Sequence, residues 1–215
     1  MSSAGVVIML CLARVHCARR IADRRRLVFD TGRLGCYQRH GAARRALRAG
    51  CSRKDFSGSM PRISVGDCQL HYERTGGGFP VVFITGLSGH ANYWREQVPV
   101  FARAFDVVTF DHRGIGQSDH SRISYTVERL AADTIGLLDA LEISKAHIVG
   151  HSTGGAIAQI LGIEHPQRLA SLSICASWPK ADAYFRRLFA LRKEILAKLG
   201  PTSYVQANSL FLYPA

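Results

Sequence analysis

Three features of the sequence predict an α/β architecture with a doubly wound, mostly parallel sheet. Short continuous apolar runs recur at residues 80–86, 107–110, 146–149 and 169–175, lengths suited to strands covered on both faces. Segments of helical period separate them, with Val127, Leu130, Ala131, Thr134, Leu138 and Leu141 the clearest example. Third, Gly150-His151-Ser152-Thr153-Gly154 joins one strand-like run directly to a helix-like stretch. Strands alternating with helices of this size imply βαβ units, whose sheet is parallel.

Taken in order, residues 63–65 and 69–72 form a short hairpin around Gly66-Asp67 that runs out at Gly76-Gly77-Gly78. The run at 80–86 is the first doubly covered strand. Trp94, Val98, Phe101 and Phe105 then keep helical spacing and predict a helix before the strand at 107–110. A polar loop, 111–121, leads into the long amphipathic helix that begins near Val127. The strand at 146–149, the helix that follows it up to Pro166, and the strand at 169–175 complete the core. Trp178-Pro179 closes that strand. Beyond it Tyr184, Phe185, Leu188, Phe189, Ile195, Leu196 and Leu199 follow helical spacing as far as Gly200-Pro201, and a second helical stretch covers 203–212. This apolar helical part predicts the start of a lid, because ligands in such sheets lie above the strand C-termini. The expected organisation is a basic extension at 1–59, a core at 60–178 and a lid at 179–215.

The formal net charge of +12 is localised. Residues 1–59 hold 13 Lys+Arg against 3 Asp+Glu, and the rest of the chain holds 15 against 13. The basic character is thus no guide to the partners of the folded part. The N-terminal stretch lacks a basic region ahead of its apolar run at 6–13, as a secretory signal would require. Its arginine excess leaves organellar targeting as one alternative, and a start at Met60 is the preferred reading. A nucleic-acid-binding arm ranks last, since the arginines lack interleaved aromatics or a recognisable module. Cys11, Cys17, Cys36, Cys51, Cys68 and Cys175 form no CxxC pair, so neither a zinc site nor a disulfide framework is indicated. A reducing, cytoplasmic setting is expected, with no apolar stretch long enough to span a bilayer. No metal or organic cofactor is expected.

Ser152 carries the chemistry. A serine with glycines two residues before and after it, at a strand-to-helix junction, is a nucleophile elbow: a tight turn presents its hydroxyl clear of the sheet. Side chains at Gly150 or Gly154 would crowd the neighbouring backbone. Residues 62–215 resemble the first part of an α/β-hydrolase on this elbow and on two further motifs. Thr85-Gly86-Leu87-Ser88-Gly89 with Trp94 is similar to the oxyanion loop of that family, and 111–118 (Asp-His-Arg-Gly-Ile-Gly-Gln-Ser) to its DxRGxGxS loop. The lid sequence resembles that of aminoacrylate-hydrolase-like proteins of pyrimidine utilisation, with 3-oxoadipate enol-lactonases as near relatives.

The resemblance implies that Ser152 attacks a carbonyl carbon while the backbone N–H groups of Leu87 and Thr153 hold the oxyanion. Gly86, Gly150 and Gly154 shape the loops. Ser88, His90, Trp94, His151 and Trp178 are candidates for the pocket, and His112 could also border it. Thr85 stands where the family usually has histidine. Asp111 and Arg113 are expected to bond to one another across their loop, His151 to pack at the pocket edge, His147 to be a satisfied interior histidine, and Cys175 to act as a small apolar filler. The family order places the triad acid and histidine well after the serine. Here the only later histidine is His165, at the far end of the elbow helix. The expectation is a copy truncated before roughly 100 further residues that carry the acid and base. Two functions remain: a serine hydrolase of a small ester, lactone or amide-like substrate, or an inactive hydrolase fragment with at most a binding role. Oligomeric state is left open.

Overall fold

The structure, a computed structural model, describes the backbone of residues 6–9 and 61–212, with side chains over residues 61–209. The arginine-rich stretch and the last three residues lie outside the described residues, so the readings made on them stay expectations. Among the described residues seven strands form the sheet: β1 (Val6–Met9), β2 (Arg62–Val65), β3 (Cys68–Gly76), β4 (Phe79–Ile84), β5 (Phe105–Phe110), β6 (Ala146–His151) and β7 (Leu169–Cys175). Their order is β1-β7-β6-β4-β5-β3-β2. The β2–β3 and β3–β5 pairs are antiparallel and all others are parallel.

β4 shows why these runs are continuous rather than alternating. Val82 and Ile84 enter the larger core, shared with the helices α2 (Val127–Ala140) and α3 (Thr153–Glu164), while Val81 and Phe83 enter a second cluster on the opposite face. Both faces are covered, so every position is apolar. α2 starts at Thr126, whose side chain accepts from the Arg129 N–H, and buries Leu130, Ala131, Asp133, Thr134, Leu137 and Leu138. The register sets the sheet ends level. Gly150 of β6 lies opposite Ile84 of β4 and Ile174 of β7, so three strands finish together beneath Ser152.

Two expectations change. The helix read from Trp94 to Phe105 is a 3₁₀ turn (Ala91–Trp94) followed by the single-turn α1 (Val98–Phe101), and Phe105 opens β5. The spacing was nevertheless informative, because Trp94, Val98, Phe101 and Phe105 all pack into the second cluster, with Trp94 and Phe101 rings 4.8 and 5.1 Å from Phe83. A shared face, not a continuous helix, produced the pattern. Second, within the stretch 1–59 expected as a basic extension ahead of the core, Val6–Met9 pair in parallel with β7, from Val6 opposite Leu172 to Met9 opposite Cys175. A Val-Val-Ile run suits a strand, and the outer edge of β7 offers unpaired backbone groups.

After β7 the chain enters α4 (Ala183–Leu212), which breaks at Gly200 (φ 80°) just before Pro201, where the sequence predicted the stop. Its first part stacks Trp178, Phe185 and Phe189 with centroids 4.4 Å apart at each step. Arg192 extends the column, lying over the Phe189 and Tyr204 rings and bonding to the Tyr204 hydroxyl. Tyr184, Leu191, Leu196, Leu199 and Val205 stay exposed.

Candidate active site

Ser152 sits between the last residue of β6 and the first of α3 with φ 54° and ψ −117°, a conformation that costs an L-residue about 1–3 kcal/mol. The turn is fastened on both sides. The Ser152 N–H donates to the Cys175 carbonyl at the end of β7 (2.9 Å), and the Ser152 carbonyl accepts from the N–H groups of Gly155 and Ala156. Glycine is required on both flanks. A Cβ on Gly150 would lie 2.3 Å from the Gly154 carbonyl oxygen, and one on Gly154 would lie 2.2 Å from the Ile84 oxygen and 2.5 Å from the Thr85 oxygen. The first turn of α3 is therefore pressed onto the end of β4, which carries the loop 85–89.

That loop is the second wall. An added Cβ on Gly86 would sit 3.0 Å from the Ser152 Cβ, so the two segments are in contact. Within the loop the Gly89 N–H donates to the Gly86 carbonyl and the Thr85 hydroxyl to the Gly89 carbonyl, both at 3.1 Å, and Ser88 takes φ 60°. Among the described residues neither the Leu87 nor the Thr153 N–H is bonded to another protein group. The Thr153 N–H stands at the positive end of the α3 dipole, and the loop that carries Leu87 meets the Ser152 side chain at Gly86.

Neighbouring residues fall into place around these loops. The His151 ring stacks on exposed Tyr93 (5.1 Å, 25°) and meets Trp94 edge-on, and burial pushes its pKa down. Trp94, 6% exposed, belongs to the core and backs His151 instead of opening onto solvent. His90 is exposed on the loop, close to Gly116. Half-buried Trp178 is tied to α3 through its carbonyl, which accepts from Gln159 at 3.0 Å.

The expected bond between Asp111 and Arg113 is replaced by two separate anchors. Asp111 accepts from the N–H groups of Ala91 (2.7 Å) and Gln117 (3.0 Å), with His71 Nδ1 3.3 Å from its Oδ2. It thereby joins the loops after β4 and β5. Arg113 points the other way and forms a two-pronged pair with Asp133 of α2 (2.9 and 2.7 Å), plus a bond to Asp67. Each is drawn off by other partners, Asp111 by the two backbone N–H groups and Arg113 by the buried Asp133 carboxylate. The signal for Asp133 was a carboxylate within the buried face of an amphipathic helix. His112 does not border a pocket either: it is buried, and its Nε2 donates to the Thr85 carbonyl at 3.1 Å. His147 is satisfied as expected, through Ser171 at 2.7 Å.

Among the described residues no histidine or carboxylate is bonded to the Ser152 hydroxyl. His165 caps the far end of α3, with the helix's 12 residues, about 18 Å of axis, between it and the serine. A shallow concavity of about 430 Å³ lined by Leu138, Ile143 and Arg168 lies at the other end of β6 and β7, remote from this chemistry. Among the described residues no cluster of His, Cys, Asp or Glu could hold a metal ion, and no helix is long and apolar enough to cross a membrane.

The family model described as the alpha/beta hydrolase fold matches residues 80–199. A protein of Azorhizobium caulinodans named carbamate hydrolase RutD is 39% identical over 155 residues, covering 72% of this chain and 58% of its own length. Its namesake from Caulobacter vibrioides is 40% identical over 162 residues, covering 73% and 60%. Among solved structures, the enol-lactonase from Burkholderia xenovorans LB400 superposes with a TM-score of 0.64 at 25% identity, over 70% of this chain and 58% of that one. The chain therefore spans under two thirds of the length of these relatives. It belongs to the alpha/beta hydrolase fold family.

Proposed function

We propose that this chain carries the nucleophile and oxyanion donors of a serine hydrolase that acts on a small ester, lactone or carbamate-like carbonyl compound. The observation that carries this reading is Ser152 held at φ 54° against Gly86, with the Leu87 and Thr153 N–H groups unpaired beside it. Ser152 Oγ attacks the carbonyl carbon, and the developing negative charge falls on an oxygen gripped by the two amides. Collapse expels the leaving group, and water then clears the acyl-serine. Serine at this position, where related enzymes of other branches carry a carboxylate, favours acyl transfer. The names of the relatives, carbamate hydrolase and enol-lactonase, support a small carbonyl substrate. α4, which follows β7 on the side where the strands end, serves in this reading as the beginning of a lid.

A serine near its ordinary pKa needs a base to take its proton. No histidine among the described residues is bonded to it, and this favours a second reading, in which the chain by itself binds but does not turn over. A fluorophosphonate probe, with Ser152→Ala as control, separates the two. Labelling confined to the Ser152 peptide supports the nucleophile; modification elsewhere, or none in a folded chain, overturns it. Slow labelling without turnover of short acyl esters or enol-lactones identifies the chain as a nucleophile-bearing part lacking its base.

A further inference from the structure

The loop that bears the Leu87 N–H is fastened from outside at one point by a side chain that the proposed chemistry does not use. Thr85 C=O and Gly86 N–H share one peptide plane, and the next plane, Gly86 C=O with the Leu87 N–H, is tied back by the Gly89 N–H, so a hold on the Thr85 oxygen sets where this turn and its Leu87 N–H stand. The holder is His112, 4% exposed, with Nε2 3.1 Å from the Thr85 oxygen. A carbonyl oxygen only accepts, so Nε2 bears the proton. The other ring nitrogen, Nδ1, is buried without a partner. An imidazolium would strand an N–H there, and burial indeed pushes the pKa of this ring below its ordinary 6.5. The ring is itself held rigidly, because its neighbours are anchored: the Asp111 N–H donates to the His71 carbonyl, and Arg113 is clamped by Asp133. An unpaired buried Nδ1 carries a cost that leucine or phenylalanine would avoid, which points to a use for the Nε2–H.

We propose that His112 is a positioning residue for the reaction at Ser152: its Nε2–H, given to the Thr85 carbonyl, orients the 85–86 peptide and aims the Leu87 N–H at the oxyanion. This rests on the serine-nucleophile reading. Asp111, Asp133 and Arg113 are the charged groups nearest in sequence or across the contact, and all three are committed to other partners.

The test compares the ¹⁵N-labelled full chain with His112→Leu and His112→Gln. A glutamine amide nitrogen can reach the place of Nε2, whereas leucine fills space without donating. The expected result is displaced amide signals of Gly86, Leu87 and Gly89 in the leucine variant and fluorophosphonate labelling of Ser152 slowed about tenfold or more, a misaimed donor costing less than the roughly 10²–10³ of one removed outright. Glutamine restores both. A residue that merely packs would give the opposite ranking, with leucine the better replacement. Glutamine no better than leucine, or leucine with unmoved amides and unchanged labelling, overturns the proposal. Should the leucine variant fail to fold, two-bond ¹H–¹⁵N spectra of the unmodified chain decide: an Nδ1–H tautomer, or a ring titrating at its ordinary value, refutes it. Failure of the unmodified chain to label condemns the serine reading alone, because the amide comparison still judges His112.

Discussion

Gly154→Ala puts the tightest contact of the elbow to a quantitative test. The new methyl would stand 2.2 Å from the Ile84 oxygen and 2.5 Å from the Thr85 oxygen, whereas real Cβ contacts stay above 3.0 Å. Both obstacles are backbone, so no rotamer change relieves them, and the start of α3 must withdraw from β4 by about 0.8 Å or more. Overpacking of this kind costs typically about 1–3 kcal/mol, and a clash with two backbone atoms belongs at the upper end. At roughly 2–4 °C per kcal/mol for a chain of this size, Tm falls by about 6–12 °C. Gly162→Ala in the same helix is the internal control. Its Cβ would meet only the Leu172 Cδ2 at 3.1 Å, the movable end of a side chain. The helix-forming gain of alanine, about 0.5–1 kcal/mol, then leaves that variant equal to or better than the parent. Urea denaturation followed by circular dichroism measures both. The withdrawal also separates the Thr153 amide from the Leu87 amide, so fluorophosphonate labelling of the folded Gly154→Ala protein should fall by about 10²-fold. A Gly154→Ala variant within 1 kcal/mol of Gly162→Ala would refute the packing argument.

Three further outcomes follow from the same geometry. Ser152→Gly removes a residue held at φ 54° and should stabilise the chain by about 1 kcal/mol while abolishing labelling; a loss of stability on chemical denaturation would contradict the strain assigned to the elbow. Arg113→Met leaves the buried Asp133 carboxylate with only the distant Arg129 and should cost about 3 kcal/mol, with much of this recovered in the Arg113→Met/Asp133→Leu double variant, as a double-mutant cycle would show. His112, His147 and His151 all have folded-state pKa values pushed below the ordinary 6.5, mainly by burial. The unfolded chain therefore takes up protons first as the pH falls through 6.5, so stability is full above that value and declines below it. His112→Gln should flatten the decline in denaturation curves taken between pH 7.5 and 5.5, and an unchanged slope would show that His112 is not held neutral.

The strands were readable from sequence because the sheet is covered on both faces, which turns each buried strand into an unbroken apolar run. β7 begins and ends where its run does. The connection between β4 and β5 misled for an instructive reason. Residues 94–105 needed four large apolar groups facing Phe83, and a 3₁₀ turn plus one turn of α-helix satisfies that demand as well as a continuous helix. Periodicity reports which residues share a face, and only with length does it report the element that presents them. β1 was unreadable for a different cause: an edge pairing between residues 6–9 and 172–175 spans the chain, and no local pattern announces such a partner.

The candidate site divides along the same line. The elbow was visible because its requirement is steric and local: Gly150, Ser152 and Gly154 must sit at fixed offsets whatever surrounds them. The groups that hold its surroundings act across the sheet and leave no spacing rule. Asp111 reaches Ala91, Arg113 reaches Asp133, and His112 reaches Thr85, each over twenty or more residues. These three are consecutive in sequence, and each is committed to a different part of the fold. One short loop after β5 thus fastens the 91–94 turn, helix α2 and the 85–89 loop at once. A motif of that kind looks in sequence like a signature of chemistry, yet all three side chains are buried or nearly so. It is a mechanical junction, and a substitution there should displace the backbone around Ser152 even though none of these three side chains is bonded to Ser152.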